Sequence, residues 1–254
     1  MVGTERHIAE RIFHDQQACQ RAESFRIGAA QLTFAQEWYL DHETWVRFAF
    51  GQLGELRGRH VLDYGCGHGM AAVTMARAGA LVTACDLSPG YVHEARQRAL
   101  ANGVAVECVV ANGEELPFAA ATFDAIWGHA ILHHLDLVKA GRELRRVLKP
   151  GGVAVLCEPW GGNPLLRFAR AMLPYPGKHR TADEQPLTAR DLQPLRKLFG
   201  HMELYGFQLL GMIRRLGHWP QLLRVLDGID TQLLNRWPSL KNWCRYMVIV
   251  LRLC

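Results

Sequence analysis

Apolar side chains recur at helical spacing over the first fifty residues, and from position 60 onward short apolar runs alternate with longer amphipathic stretches. In the first part, Ile8, Ile12 and Phe13 are spaced to form one apolar face, and an aromatic-rich stretch follows at positions 38–50. Both patterns favour α-helices. The sequence therefore predicts a helical segment over residues 1–55, which would form a lid on the part that follows.

The apolar runs after position 60 have the length of strands, and helix-length segments separate them. This alternation is typical of a doubly wound, mostly parallel sheet in an α/β fold. Ser88 followed by Pro89 provides a start signal for one helix, and the Lys-Pro-Gly-Gly sequence at 149–152 provides a stop signal for another. The predicted strands are 61–63, 81–85, 104–110, 123–127 and 153–157, and the predicted helices are 70–78, 89–101 and 137–148.

The regular alternation ends after Glu158. Prolines and glycines are frequent over positions 159–186, which predicts a loop-rich insertion. Two further strands bring the predicted sheet to seven. The elements predicted beyond the insertion are helical segments at 188–199 and 221–234 and strands at 202–212 and 243–253.

No repeat or linker-like tract divides the 254 residues, so we predict a single domain over residues 1–254. Its expected parts are the lid at 1–55, a binding core at 56–158, and a substrate-side insertion with C-terminal strands at 159–254.

The composition is that of an ordinary globular protein, with 49% hydrophobic and 21% charged residues. No apolar run approaches the roughly 20 residues of a membrane-spanning helix, and the start of the sequence lacks the apolar region of a signal peptide. The net charge of +5 comes mostly from arginines spread along the chain, so a nucleic-acid partner is not expected. Seven cysteines without a C-x-x-C pair favour buried thiols in a reducing cytoplasm and predict no metal site.

The first predicted strand runs directly into three alternating glycines, Gly65, Gly67 and Gly69, and a predicted helix follows. Glycines at such a turn allow a sharp bend and bring the backbone close to a ligand, which favours a nucleotide-type site. Asp86 follows the second predicted strand, some twenty residues later. A carboxylate there can accept hydrogen bonds from both hydroxyls of a ribose. Its alternative role is to cap the next helix, although Ser88 is available for that.

Five motifs in this order resemble the class I S-adenosylmethionine-dependent methyltransferases, specifically the type 11-like group that acts on small molecules. The resemblance covers roughly residues 59–158. It implies a seven-stranded Rossmann-like fold, with S-adenosylmethionine as cofactor and S-adenosylhomocysteine as product. A nicotinamide oxidoreductase would more often show G-x-G-x-x-G, and residue 70 here is Met. The motifs are D-x-G-x-G-x-G at 63–69, Asn-Gly-Glu-Glu-Leu-Pro-Phe at 112–118, Phe-Asp-Ala-Ile at 123–126, Leu-His-His-Leu at 132–135 and Leu-Lys-Pro-Gly-Gly at 148–152.

The resemblance also implies which residues bind the cofactor. Asp63 and the loop at Gly65, Cys66 and Gly67 would hold its methionine end, and Asp86 with Leu87 its ribose. The family usually has Asp-Ala where this chain has Asn112-Gly113, and Asn112 can still accept a hydrogen bond from the adenine amino group. The remaining residues expected near the cofactor are Glu114 and Gly128, the latter beside the reactive methyl group.

Methyl transfer to a hydroxyl benefits from a general base, and four candidates lie near the carboxyl ends of the fourth and fifth predicted strands. These candidates are His129, His133, His134 and Glu158. Each has an alternative role. The two adjacent histidines are placed for packing or cofactor contact at the start of a helix, and Glu158 is able to pair with an arginine.

The acceptor is expected to contact residues outside the common core. Trp38 and Tyr39 in the lid could close over the cofactor, and Trp160 and Arg180 in the insertion could face the acceptor. The alternative for the aromatic residues is core packing. An arginine would suit a carboxylate, a phosphate or an acidic sugar.

The sequence thus predicts a cytoplasmic enzyme that methylates a small metabolite at oxygen in a biosynthetic pathway. The alternatives are a peptide- or glycan-linked acceptor, a nitrogen or carbon acceptor atom, and a cofactor-binding scaffold that no longer transfers methyl groups.

Overall fold

The computed structural model describes residues 5–25, 32–172, 185–215, 217 and 219–253. Seven strands form one sheet, in which the last strand runs antiparallel to both of its neighbours and all other pairs are parallel. The strands are β1 (His60–Tyr64), β2 (Leu81–Asp86), β3 (Val106–Val110), β4 (Phe123–His129), β5 (Leu148–Pro159), β6 (His201–Phe207) and β7 (Tyr246–Arg252). Their order across the sheet is β3-β2-β1-β4-β5-β7-β6. The predicted seven-stranded, mostly parallel α/β sheet is confirmed.

Helices cover both faces of this sheet. Successive residues of a strand point to opposite sides, so each face of the sheet packs into its own hydrophobic cluster. Val61 and Trp127 belong to one hydrophobic cluster, and their neighbours Leu62 and Ile126 belong to the other. Among the described residues, short 3₁₀ helices lie at Leu132–His134, Gly211–Arg215 and Pro238–Trp243. The α-helices are α1 (Glu5–Phe25), α2 (Gln36–Asp41), α3 (Val46–Gln52), α4 (Met70–Arg77), α5 (Pro89–Ala101), α6 (Leu137–Val147), α7 (Pro164–Met172), α8 (Gln193–Phe199) and α9 (Pro220–Arg236).

Local signals set the boundaries of the central helices. The Ser88 hydroxyl accepts the backbone N–H of Tyr91 at 3.1 Å, and Pro89 occupies the first turn, so α5 begins where the sequence predicts. Asp136 caps α6 in the same way by accepting the N–H groups of Val138 and Lys139.

Four expectations about local structure were wrong. Helix α6 ends at Val147, as the stop signal predicts, but β5 begins at Leu148 instead of at position 153, so it includes that signal and passes a register shift opposite 123–125. Residues predicted as loop form α7, and β6 ends at Phe207 because the chain turns into a 3₁₀ helix shortly afterwards. On α1, Ile8 and Ile12 are 39% and 50% exposed, whereas His7 and Glu10 are buried.

The topology places a binding crevice at one edge of the sheet. β1 and β4 are adjacent, but the chain leaves them in opposite directions, toward β2 and toward β5. Ligands of open α/β sheets bind beyond the carboxyl ends of the strands at such a switch point. Within the described residues, no helix is both long and apolar enough to cross a membrane.

Candidate active site

A cavity of about 490 Å³ opens at the carboxyl ends of β1, β2 and β4. Tyr64, Asp86 and His129, the last residues of these three strands, line it, and so do residues of α1 and α2. Because three parallel strands end at the same edge, residues far apart in sequence meet there.

The glycine loop between β1 and α4 forms the floor of the cavity. Gly65 has a φ of +70°, and a Cβ at this position would lie 2.6 Å from Ile131 Cγ1, so only glycine fits. Gly67 has a φ of +48°, and a Cβ there would meet no atom within 4 Å, because this side of the loop faces open space. The N–H groups of Gly65 and Cys66 both donate to the Cys85 carbonyl, at 2.9 Å. Because both N–H groups already form hydrogen bonds within the protein, the loop provides room for a ligand beside Gly67 but no hydrogen bonds from Gly65 and Cys66.

Asp63 lies beneath the loop and is almost completely buried. Its Oδ2 has no hydrogen-bond partner among the described residues, although the atom is inaccessible to solvent. Burial raises the pKa of this carboxyl to about 7, and the backbone N–H of Ala72 and the nearby Asp86 modify that pKa less strongly. A buried carboxylate with a vacant acceptor is suited to a cationic group such as an ammonium.

Asp86 lies at the tip of β2, as the sequence predicts. Oδ2 accepts the N–H of Gly67 and Oδ1 accepts the N–H of Ser88, both at 2.9 Å. Burial raises the pKa of this carboxyl, and these two backbone donors partly offset the rise. Each oxygen retains a lone pair, and both Asp86 and Leu87 line the cavity.

The 112–114 segment forms the far wall. Asn112 and Gly113 line the cavity, whereas Glu114 does not. The Asn112 side-chain oxygen accepts the Glu114 N–H at 2.9 Å, and the Tyr64 hydroxyl donates to the Gly113 carbonyl at 2.7 Å. Glu114 instead accepts the Asp136 N–H at 2.8 Å, so it fixes the wall to the start of α6.

These features fit S-adenosylmethionine. Its sulfonium and ammonium groups are positive, and the carboxyl groups that line the cavity are those of Glu10, Asp63 and Asp86. No lysine or arginine is among the described lining residues. The buried acceptor of Asp63, the open side of Gly67 and the carboxylate of Asp86 all border this cavity.

His129 is the predicted catalytic candidate that reaches the cavity from the sheet. Burial lowers its pKa to about 4, and the nearby Glu158 only partly opposes this effect, so the imidazole is neutral at physiological pH. Its Nε2 is buried and has no hydrogen-bond partner among the described residues. The ring packs against Trp45, with ring centroids 4.7 Å apart, and against Tyr246 at 6.2 Å.

The other candidates divide into two groups. His134 lines the cavity, and its Nδ1 lies 3.3 Å from Glu10 Oε1 of α1. His133 and Glu158 do not line it. Their side chains are 5% and 0% exposed and contact each other, so the structure gives them a buried structural pair rather than access to the acceptor.

The predicted cofactor and acceptor residues that remain are also separated by the structure. Trp38 and Tyr39 line the cavity. Gly128 does not, because it lies within the sheet, where a Cβ would approach Leu156 Cδ2 to 2.7 Å. Trp160 is fully buried and forms a β-bridge with Leu187 away from the cavity. Arg180 lies outside the described residues.

Sequence reasoning missed several lining residues. His7, Glu10 and His14 come from α1, and His42 and His68 come from α2's end and the glycine loop. A signal for the first three exists: polar residues recur on α1 at positions 7, 10, 14, 17 and 21, which is a stripe along one helix face. His68 is half-buried, and its desolvation lowers its pKa to about 3, with smaller contributions from Arg21 and Arg98.

Comparison with known proteins agrees with this site. A family model described as a methyltransferase domain matches residues 62–156. Together with the seven-stranded fold and its cavity, the match identifies this part of the chain as a class I S-adenosylmethionine-dependent methyltransferase domain.

Two curated relatives match this chain over segments of different length. A ubiquinone biosynthesis O-methyltransferase from Methylocella silvestris is 38% identical over 99 residues, which are 39% of this chain and 39% of that protein. A demethylmenaquinone methyltransferase from Tropheryma whipplei (strain Twist) is 34% identical over 165 residues, which are 62% of this chain and 66% of that protein. The chain thus spans less than two thirds of the length of either relative.

A solved structure with the same fold is that of the [4+2]-cyclase SpnF. Its TM-score is 0.54 at 23% sequence identity, and the match covers 82% of this chain and 80% of that chain. At this identity the likeness concerns the fold alone, and a fold does not determine a reaction.

Proposed function

We propose that this chain transfers the methyl group of S-adenosylmethionine to a hydroxyl oxygen of a small metabolite in a biosynthetic pathway. The observation that carries the proposal is the pairing, in one cavity, of a buried carboxyl suited to a cation with a neutral imidazole. Asp63 and His129 are these two groups, and both have an atom without a partner among the described residues.

The residues divide the work between binding and proton acceptance. Asp63 would hold the ammonium group of the cofactor, and Asp86 would accept hydrogen bonds from its ribose hydroxyls. When bound, the cofactor supplies an electrophilic methyl group on a sulfonium, whose departure leaves the neutral thioether S-adenosylhomocysteine. Much of the rate in such a reaction comes from alignment of the two reactants in a cavity that excludes water.

His129 is the general base of this proposal. Its neutral imidazole accepts a hydrogen bond from the acceptor hydroxyl through Nε2. As the new C–O bond forms and the S–CH₃ bond breaks, the hydroxyl proton passes to Nε2, so the ether product and the thioether are both neutral. The lowered pKa keeps Nε2 unprotonated over the whole physiological pH range.

An uncharged aromatic acceptor suits this cavity best. Trp38, Tyr39 and His42 line its lid side with rings, and Tyr39 and His42 stack with ring centroids 5.2 Å apart. The described lining holds no lysine or arginine to neutralise an anionic acceptor. The names of the two curated relatives refer to ubiquinone and demethylmenaquinone, which supports a quinone-type ring as the acceptor class, and the first name specifies oxygen as the methylated atom.

The experiment is a panel assay with S-adenosylmethionine and uncharged, hydroxylated aromatic acceptors, compared with their carboxylated analogues. We expect S-adenosylhomocysteine release and a methyl ether, identified by mass spectrometry, with the uncharged set. His129→Asn should lower turnover by about 10²-fold or more, the usual contribution of a general base, while S-adenosylhomocysteine still binds. Cofactor binding without product release from any acceptor would instead favour a scaffold that no longer transfers methyl groups.

A further inference from the structure

Helix α1 is attached to the core through a row of polar side chains along one face. His7 Nε2 lies 3.3 Å from Glu114 Oε1, and the Arg21 guanidinium donates to Glu94 at 3.0 Å. Glu10 contacts His134 at 3.3 Å, and the Tyr91 hydroxyl donates to Gln17 Oε1 at 2.8 Å. The helix is therefore placed by specific partners rather than by an apolar face.

Asp15, on the same helix, contacts the start of α5. Its Oδ1 accepts the backbone N–H of Gly90 at 3.1 Å and also the Ser88 hydroxyl. Ser88 is the cap of α5 and is completely buried. A carboxylate from α1 therefore closes the N-terminus of α5, where the helix dipole favours negative charge.

The packing at this contact is close. A Cβ at Gly90 would lie 2.8 Å from Ala18 Cβ, so the two helices touch one turn beyond Asp15. Asp15 itself does not line the cavity, whereas its neighbour His14 does. The His14 ring lies 5.6 Å from the rings of both Tyr91 and His134, and all three side chains line the cavity together with Asp86, which the proposed function assigns to the ribose.

We propose that Asp15 is a positioning residue of the cofactor site. By docking α1 onto the capped end of α5, it fixes His14 against the ribose side of the cavity, where the imidazole contacts the cofactor. Cofactor affinity then depends on a side chain that does not itself touch the cofactor. The inference concerns cofactor binding and does not depend on the acceptor or on methyl transfer.

A double-mutant cycle tests the proposal through the affinity for S-adenosylhomocysteine, measured by titration calorimetry on the full chain. Asp15→Ala and His14→Ala should each weaken binding about tenfold, within the usual range of coupled residues, and the double variant should bind no more weakly than His14→Ala alone. If Asp15 acts independently of His14, the losses of affinity caused by Asp15→Ala and His14→Ala should multiply in the double variant. That result, or an unchanged affinity of Asp15→Ala, would overturn the proposal.

Two further variants complete the experiment. Asp15→Asn keeps an acceptor oxygen for the Gly90 N–H, so it should retain more affinity than Asp15→Ala, and its effect should also vanish when His14 is Ala. The cycle with asparagine decides the question if Asp15→Ala does not fold. Ile12→Ala is the matched control, because Ile12 is on α1 and half exposed and should leave the affinity unchanged. Hydrogen exchange of the α1 amides should accelerate in Asp15→Ala and not in the control.

Discussion

Glu158 Oε2 lies 2.6 Å from His133 Nδ1, and its other oxygen accepts the backbone N–H groups of Ile131 and Leu132 at 2.9 and 2.8 Å. The carboxylate is completely buried, so all of these contacts are made away from solvent. Together they fix the turn after β4, which carries Ile131 and His134 to the cavity. Both residues of the pair are thus placed to position the site rather than to contact the acceptor.

Replacement of Glu158 should destabilise the protein. Glu158→Gln preserves the shape, but it replaces by an amide nitrogen one of the two oxygens that contact His133 and the backbone N–H groups of Ile131 and Leu132, so we expect a loss of about 2 to 4 kcal/mol in the free energy of unfolding. Urea denaturation monitored by fluorescence measures this loss. Glu203→Gln, on the partly exposed strand β6, is the control and should change stability by less than about 0.5 kcal/mol. Equal effects of the two substitutions would contradict the role assigned to Glu158.

Cofactor affinity should rise with pH through neutrality. The buried Asp63 has a pKa raised to about 7, and only its ionised form binds an ammonium group well. From pH 6 to pH 8 the ionised fraction increases about tenfold, and the association constant for S-adenosylhomocysteine should follow it. Calorimetry at pH 6, 7 and 8 measures this dependence. Asp63→Asn should bind weakly and with little pH dependence, and a wild-type affinity independent of pH would exclude this role.

Because of His129, the free energy of unfolding should decrease as the pH falls below neutrality. Its pKa is about 4 in the folded protein and near 6.5 in an unfolded chain, so the unfolded chain binds the proton more readily. The contribution of the neutral His129 to the free energy of unfolding is complete above about pH 6.5 and is lost as the pH falls toward 4.

The comparison of His129→Asn with the wild type isolates this contribution. Between pH 7 and pH 5 the wild type should lose about 2 kcal/mol more in free energy of unfolding than the variant. Urea denaturation at the two pH values provides the measurement. Identical losses would show that His129 titrates normally.

Two glycines of the binding loop should respond differently to alanine. Gly65→Ala forces a Cβ against Ile131 and should lower stability by about 1 to 3 kcal/mol. Gly67→Ala places its Cβ in open space, so it should cost only about 1 kcal/mol of backbone strain but should obstruct the cofactor. Thermal unfolding and S-adenosylhomocysteine titration of both variants separate these effects. Normal binding of S-adenosylhomocysteine by Gly67→Ala would show that this loop is not part of the cofactor site.

The sequence was sufficient to predict the sheet and to place Gly65 and Asp86 where the cavity opens, because their signals are local. The strand-glycine-helix pattern around Gly65 and the strand-end position of Asp86 both depend on neighbours in the chain. Trp160 and Glu158 could not be placed in this way. Their burial follows from Leu187 and from the turn after β4, which only the tertiary structure brings beside them.

The lid shows a second limit. The apolar spacing of Ile8 and Ile12 indicated a buried face, but α1 buries His7 and Glu10 instead, because the surface beneath it presents Glu114 and His134. A polar face can be buried when it finds polar partners, and those partners lie more than a hundred residues away in the chain.

Titration of the purified chain with S-adenosylhomocysteine, for wild type and Asp86→Ala, tests the identification of the cavity most directly. We predict one-to-one binding by the wild type and an affinity at least about tenfold weaker for Asp86→Ala, because the ribose loses its charged acceptor. Absence of heat and of a thermal shift with the wild type, or equal binding by both proteins, would contradict the account.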